Sequence, residues 1–291
     1  MSQQAFTGTG VAMITPFLSN GDIDFPSLKI LLEHLVKGKV EYLVVMGTTG
    51  ESATISKDEK QAIFSFVAEQ NGGRLPLMAG IGGNDTREVT SAMKSFNLQG
   101  YSAILTVSPY YNKPNQQGLY LHHKALHEES PLPVLMYNVP GRTGMNVSAE
   151  TTLRIAADCH RIFGTKEASG NLDQVHQIIK YAPKDFMVIS GDDGIALPII
   201  AAGGHGLISV VANAYPADFA EMVRHCLRGD FAAARPLHYK YTDIIQTLFA
   251  EGNPSGVKAY LAEMGICGNY FRLPVAPVSD GLMQKIRGMM R

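Results

Sequence analysis

Cysteine is scarce: Cys159, Cys226 and Cys267 are the only three. An odd count at wide spacing builds neither a disulfide framework nor a Cys-x-x-Cys metal site, so a reducing, cytoplasmic setting is expected. Charge is also scarce and balanced, with 18% charged residues, 25 basic against 26 acidic, and a net charge of −1. No basic run supplies a field for phosphates, so no nucleic-acid partner is expected. The nine histidines lack His-Glu-x-x-His spacing, and adjacent His122 and His123 face different directions on a helix, so no metal is expected. No Gly-x-x-x-x-Gly-Lys loop occurs, and Gly8-x-Gly10 and Gly80-x-Gly82 stop short of a dinucleotide-binding turn. The first residues, 1–7, have no basic or apolar signal region, so no signal peptide is expected. The uncharged stretch from Ile195 to Tyr215 is long enough for a membrane span, but Pro198 and Gly203-Gly204-His205-Gly206 interrupt it. It is expected to be a buried helix followed by a buried strand, with no membrane contact.

What is present is a regular alternation. Eight short apolar runs fall at 11–15, 42–46, 77–81, 103–107, 134–137, 162–166, 187–190 and 207–210. They are apolar on both faces, as strands of a covered parallel sheet should be. Helical signals lie between them. Asp24 and Pro26 precede the periodic stretch 28–36; Ser56 with Glu59, and Asp85 with Glu88, have capping-box spacing. Further helices are expected over 118–129, 149–157, 172–181, 195–202 and 217–227. At 291 residues the chain allows about two domains at ~150 residues each, or one α/β barrel of ~250 residues with an extension. Eight strands alternating with eight helices predict an α/β fold, a closed (β/α)8 TIM barrel over residues 1–229, with an open doubly wound sheet as the alternative. After Gly229-Asp230 the strand runs stop, and 231–249, 254–264 and 281–291 read as helices. Residues 230–291 are therefore expected to form a C-terminal helical domain.

In such a barrel the chemistry sits at the C-terminal ends of the strands. Lys166 alone among the lysines stands there, at the end of the sixth apolar run. Apolar walls disfavour its ammonium, and a neutral amine attacks a ketone to form a Schiff base. An ion pair is the alternative. Glu167 points to the opposite face as the next strand residue, which leaves Asp192 and Asp193 as candidate partners. Tyr137 ends the fifth run and reads either as a proton carrier beside an imine or as a core tyrosine. Thr48 and Tyr111 extend a hydroxyl relay or serve as turn and packing residues. Arg142, in Pro140-Gly141-Arg142-Thr143-Gly144, reads as a carboxylate clamp or as a surface arginine. The turn Gly47-Thr48-Thr49-Gly50 offers N–H groups and hydroxyls suited to a small carboxylate.

Three segments carry a resemblance. Gly47-Thr48-Thr49-Gly50-Glu51-Ser52, then Tyr137-Asn138-Val139-Pro140-Gly141-Arg142-Thr143-Gly144, then Gly164-Thr165-Lys166-Glu167-Ala168-Ser169-Gly170 resemble the dihydrodipicolinate synthase family, within the lysine-dependent pyruvate aldolases. The likeness extends along the whole chain. It implies a lyase of the diaminopimelate route to lysine that joins pyruvate to aspartate 4-semialdehyde and forms 4-hydroxy-tetrahydrodipicolinate. A related sugar-acid aldolase or lyase using the same imine is the alternative, against which Arg142 and the pair Thr48-Thr49 weigh. Lys166 is implied as the imine former and Tyr137 as the proton carrier, relayed through Thr48 and Tyr111. This last tyrosine is implied to cross from a neighbouring subunit, in a homotetramer built as a dimer of dimers. Thr49, with backbone from Thr48, would hold the pyruvate carboxylate and Arg142 that of the semialdehyde, with Gly191 and Ile208 lining the pyruvate pocket through main-chain atoms. No cofactor is implied. Ser52, Ala53, Asn84, Glu88 and Tyr110 match positions that contact inhibitory lysine in some members. Lys57 and Lys60 stand where sensitive members often carry histidines, and fixed cations there imply weak feedback inhibition.

Overall fold

The computed structural model describes residues 3–290. Eight parallel strands close into a barrel in chain order, with the last paired back onto the first. They are β1 Gly8–Ala12, β2 Tyr42–Val45, β3 Leu77–Gly80, β4 Ala103–Val107, β5 Val134–Asn138, β6 Ile162–Glu167, β7 Met187–Ser190 and β8 Gly206–Ser209. Around them run α1 Phe25–Lys37, α2 Lys57–Asn71, α3 Thr86–Ser95, α4 Gln116–Glu129, the single turn α5 Pro140–Thr143, α6 Ala149–Asp158, α7 Leu172–Tyr181, α8 Ala196–Ala201 and α9 Pro216–Leu227. The extension follows as α10 Phe231–Lys240, α11 Thr242–Phe249, α12 Ser255–Glu263 and α13 Asp280–Met289. Among the described residues no helix is long and apolar enough to cross a membrane. The stretch 195–215 folds instead as α8 followed by β8.

The helix starts follow their caps. Ser56 and Glu59 form a reciprocal capping box on α2, and the Asp85 carboxylate accepts from the Arg87 and Glu88 N–H groups at the start of α3. The strands are buried on both faces, so alternate residues serve two cores. Val44, Leu105, Leu135, Ile189 and Ile208 fill the lumen, while Leu43, Ile104, Met136, Val188 and Leu207 pack under the helices. Phe6 lies against Tyr42 and Phe163 in the lumen, with ring centroids 5.3 and 5.6 Å away.

Three departures from the expected elements have physical causes. β1 begins at Gly8 and ends at Ala12, ahead of the apolar run 11–15. A Cβ on Gly10 would lie 2.1 Å from the Tyr42 ring, so close packing requires glycine where an apolar pattern shows a gap. The stretch 231–249 is two helices, broken at Tyr241, whose buried ring packs on Phe219 and whose hydroxyl donates to Asp218 Oδ2 at 2.6 Å. The third departure is in β6. Val134 pairs with Ile162, but Leu135 pairs with Gly164, so β6 carries one extra residue. Strict alternation from inward-facing Phe163 would turn Lys166 outward. The bulge restores the parity and brings Lys166 beside Tyr137 on β5 and Ile189 on β7. A Cβ on Gly164 would lie 2.4 Å from the Met187 carbonyl oxygen, so the site of the bulge admits only glycine.

The extension is tied to the chain that follows β2. Arg272 holds the Glu59 carboxylate with two N–H groups, at 2.5 and 2.9 Å, and donates to the Thr54 carbonyl at 2.9 Å. Lys258 on α12 pairs with Glu51 at 2.5 Å, both side chains being essentially inaccessible to water.

Candidate active site

A cavity of about 430 Å3 opens at the C-terminal end of the barrel. Gly47, Thr48 and Thr49 line it after β2, Tyr137 from β5, Arg142 from α5, Lys166 from β6, Gly191 and Asp192 after β7, and Val210 after β8. Phe249, Gly252 and Asn253 complete the wall from the extension. No sequence signal marked these three. Gly252-Asn253-Pro254 reads as a plain turn, and only the packing of the extension against the barrel brings it here.

Lys166 is 5% exposed, and its Nζ lies 4.2 Å from the centre of the Tyr137 ring. Burial pushes its pKa down to about 8; the carboxylate of Asp193 resists this and the Arg142 guanidinium assists it. Asp193 acts through its field and not by contact. It is buried, accepts from the Ser209 hydroxyl and from the Val210 N–H at 3.1 Å, and burial raises its pKa to about 6. Among the described residues Lys166 has no ion-pair partner, so the ion-pair alternative does not hold. Glu167 faces away, as strand alternation requires. It accepts from Asn138 at 3.1 and 3.3 Å and from Ser169 at 2.8 Å, and burial lifts its pKa to about 7.

Gly191 stands where space for the lysine is needed, since a Cβ there would lie 2.8 Å from Lys166 Cε. Tyr137 is 6% exposed, and burial raises its phenol to about 12, so it stays protonated and able to donate. Thr49 is buried, and its hydroxyl oxygen accepts from Asn253 Nδ2 at 2.9 Å. Arg142 donates to the Asn253 carbonyl at 3.3 Å.

The structure thus brings Lys166, Tyr137, Thr48, Thr49, Arg142 and Gly191 around one cavity. It leaves two expected residues elsewhere. Ile208 is fully buried among the lumenal side chains and does not line the cavity wall. Tyr111 is 88% exposed, has a φ of 74°, and lies outside the cavity of its own chain. Of the positions matched to effector contacts, Ser52 and Glu88 share a second cavity of about 550 Å3 with Lys57, Lys60 and Arg87. Ala53 and Tyr110 line an adjoining cavity that also reaches Lys60, and Asn84 donates to the Tyr110 carbonyl at 3.1 Å.

Fold and site together define a (β/α)8 barrel enzyme centred on a shielded amine at the mouth of the strands. The model of the Dihydrodipicolinate synthetase family matches residues 5–291, and the chain belongs to that family. It is 48% identical to the 4-hydroxy-tetrahydrodipicolinate synthase of Flavobacterium psychrophilum over 97% of each chain. It is 42% identical to the synthase of the same name from Bacillus subtilis, over 94% of this chain and 95% of that one. The crystal structure of dihydrodipicolinate synthase from Thermotoga maritima superposes with a TM-score of 0.96 at 39% identity, covering 98% of both chains.

Proposed function

We propose that this chain joins pyruvate to aspartate 4-semialdehyde and forms 4-hydroxy-tetrahydrodipicolinate, the compound for which its curated relatives are named. The observation that carries this reading is Lys166: an amine enclosed by apolar walls, unpaired, with a pKa of about 8, facing a phenol. The Lys166 amine adds to the pyruvate ketone, and loss of water gives an imine. Loss of a methyl proton gives an enamine, whose carbon bonds to the aldehyde carbon of the second substrate while the aldehyde oxygen takes up a proton and becomes the 4-hydroxyl. That substrate's own amine then attacks the imine carbon and closes the ring, releasing Lys166. One water leaves per turnover and no electrons are gained or lost. Tyr137 carries the protons at imine formation and release, relayed through Thr48 of the same cavity. Thr49 and its neighbouring N–H groups hold the pyruvate carboxylate, Arg142 the carboxylate of the semialdehyde, and Gly191 the space for the imine.

Tyr111 completes the relay only from a second copy of the chain, which its exposure in the single chain supports. The active unit is then at least a dimer, and a dimer of dimers is the assembly proposed. At the second cavity, Lys57, Lys60 and Arg87 outnumber Glu88 as charged groups, so a cationic effector such as lysine binds weakly. Half-maximal inhibition by micromolar lysine would overturn that part alone.

Borohydride reduction in the presence of pyruvate, followed by peptide mass mapping, tests the central step. A reduced pyruvate adduct on Lys166 is expected, and an unlabelled Lys166 would end the proposal. Product formation from pyruvate and the semialdehyde, beside cleavage of N-acetylneuraminate or 2-keto-3-deoxygluconate, separates the synthase from a sugar-acid lyase.

A further inference from the structure

Asn253 is the residue through which the C-terminal extension touches both carboxylate-binding ends of the cavity. It occupies the turn between α11 and α12, 204 residues from Thr49 in sequence. Its Nδ2 donates to Thr49 Oγ1 at 2.9 Å, and its backbone carbonyl accepts from Arg142 at 3.3 Å. A threonine hydroxyl has one proton and two lone pairs. With the amide N–H directed at one lone pair, the Thr49 proton cannot also point at Asn253. Thr49 lines the cavity and makes no other side-chain hydrogen bond among the described residues, so the cavity is where its proton has an acceptor to find.

The seat of this contact is fixed from both sides. Glu51, two residues beyond Thr49, has a left-handed backbone with a φ of 55° and receives Lys258 Nζ at 2.5 Å. Lys258 lies on α12, just beyond the Asn253 turn, and also donates to the Tyr270 carbonyl at 2.9 Å. A buried ion pair therefore clamps the Thr48–Glu51 turn to the segment that carries Asn253. Among the described residues, Oδ1 of Asn253 is buried without a partner. The fold bears the cost of that unsatisfied oxygen in the same side chain that makes the Thr49 contact.

We propose that Asn253 is a positioning residue for keto-acid binding: its amide N–H holds the Thr49 hydroxyl as a donor toward the substrate carboxylate. This rests on the reading of Thr49 as a carboxylate-holding group. A residue that merely fills space would tolerate the isosteric change Asn253→Asp better than Asn253→Ala. A residue that sets proton direction gives the reverse order. The carboxylate that Asn253→Asp introduces can only accept, so it takes the Thr49 proton for itself and places negative charge beside the pyruvate carboxylate.

The test is steady-state kinetics on the full-length enzyme. Asn253→Ala raises the KM for pyruvate on the order of tenfold, with kcat within about threefold, because a hydrogen bond to an ionised group is lost from ground and transition state alike. The KM for the semialdehyde changes little, since alanine keeps the carbonyl that meets Arg142. Asn253→Asp raises the pyruvate KM further, on the order of a hundredfold. In a Thr49→Val background, Asn253→Ala adds less than about twofold, because the two residues act as one unit. Asn253→Asp milder than Asn253→Ala, or additivity with Thr49→Val, overturns the proposal. Failure of the underlying function is a separate result: wild-type Lys166 then takes no label from pyruvate and borohydride.

Discussion

Lys166 carries a charge in water at neutral pH and is enclosed in the folded chain, so protonation and folding are linked through it. Its folded-state pKa, about 8, lies below its ordinary value of 10.5. The folded state therefore holds its proton less tightly than the unfolded state, and stability rises with pH between about 8 and 10.5. Below about pH 8 the full penalty is present, on the order of 3 kcal/mol. Lys166→Met is expected to abolish pyruvate labelling and turnover while raising Tm at about pH 7, and that gain should shrink as the pH approaches about 10. Thermal melts of both proteins across that range check the sign; a gain that grows with pH would contradict it. In the proposed mechanism the same titration governs attack on the ketone, so log(kcat/KM) for pyruvate should climb with unit slope and level near about pH 8. Tyr137→Phe is expected to cost on the order of 10²–10⁴ in kcat. A loss of about tenfold or less would remove the proton-carrier role from Tyr137. Lys166 and Tyr137 were legible as residues because each stands at the end of an apolar run. Their approach across one lumen was a reading of those positions, but the bulge that achieves it was not legible, because no run of residue types announces it.

At the scale of elements, two features set the geometry of the mouth. The extra residue in β6 turns Lys166 inward, and Gly164 permits it. Gly164→Ala forces a Cβ to within 2.4 Å of the Met187 oxygen, so β6 and β7 must separate. A large fall in Tm and a parallel loss of borohydride-trapped adduct are expected, read by melting and by mass spectrometry. The second feature is the pair Lys258–Glu51. Removing one partner strands a buried charge, so Lys258→Met should cost about 3–5 kcal/mol of stability. The double variant Lys258→Met with Glu51→Gln should recover much of that loss, and denaturant titration measures both. Strands and caps were readable from local pattern, as the reciprocal Ser56–Glu59 box illustrates. Neither the Lys258–Glu51 pair nor the Asn253 contact was readable, since they join residues 207 and 204 positions apart that no periodicity relates. β1 was misplaced for a related reason. The room at Gly10 answers to the Tyr42 ring in the lumen and not to any neighbour in sequence.

At the scale of the molecule, the relay proposed through Tyr111 cannot form within one chain, because Tyr111 is exposed and lies outside the cavity. Activity should therefore follow assembly. Specific activity is expected to fall on dilution in step with dissociation, measured by analytical ultracentrifugation. Mixing inactive Lys166→Ala chains with inactive Tyr111→Phe chains should restore part of the activity in the heterodimer. Unchanged specific activity in a demonstrably monomeric sample would remove the partner's tyrosine from the mechanism. The overall architecture was the most legible level, since eight covered strands in alternation leave few topologies open. The assembly is the least legible, because a solvated tyrosine in one chain has the same sequence signal whether or not a second chain receives it.

The cavity wall is completed by Asn253, whereas the barrel is closed by β8, which ends at Ser209. During synthesis on the ribosome the two events are separated in time. All eight strands are translated before Phe249, Gly252 and Asn253, so a chain that has emerged only through β8 lacks the residues that complete the cavity wall.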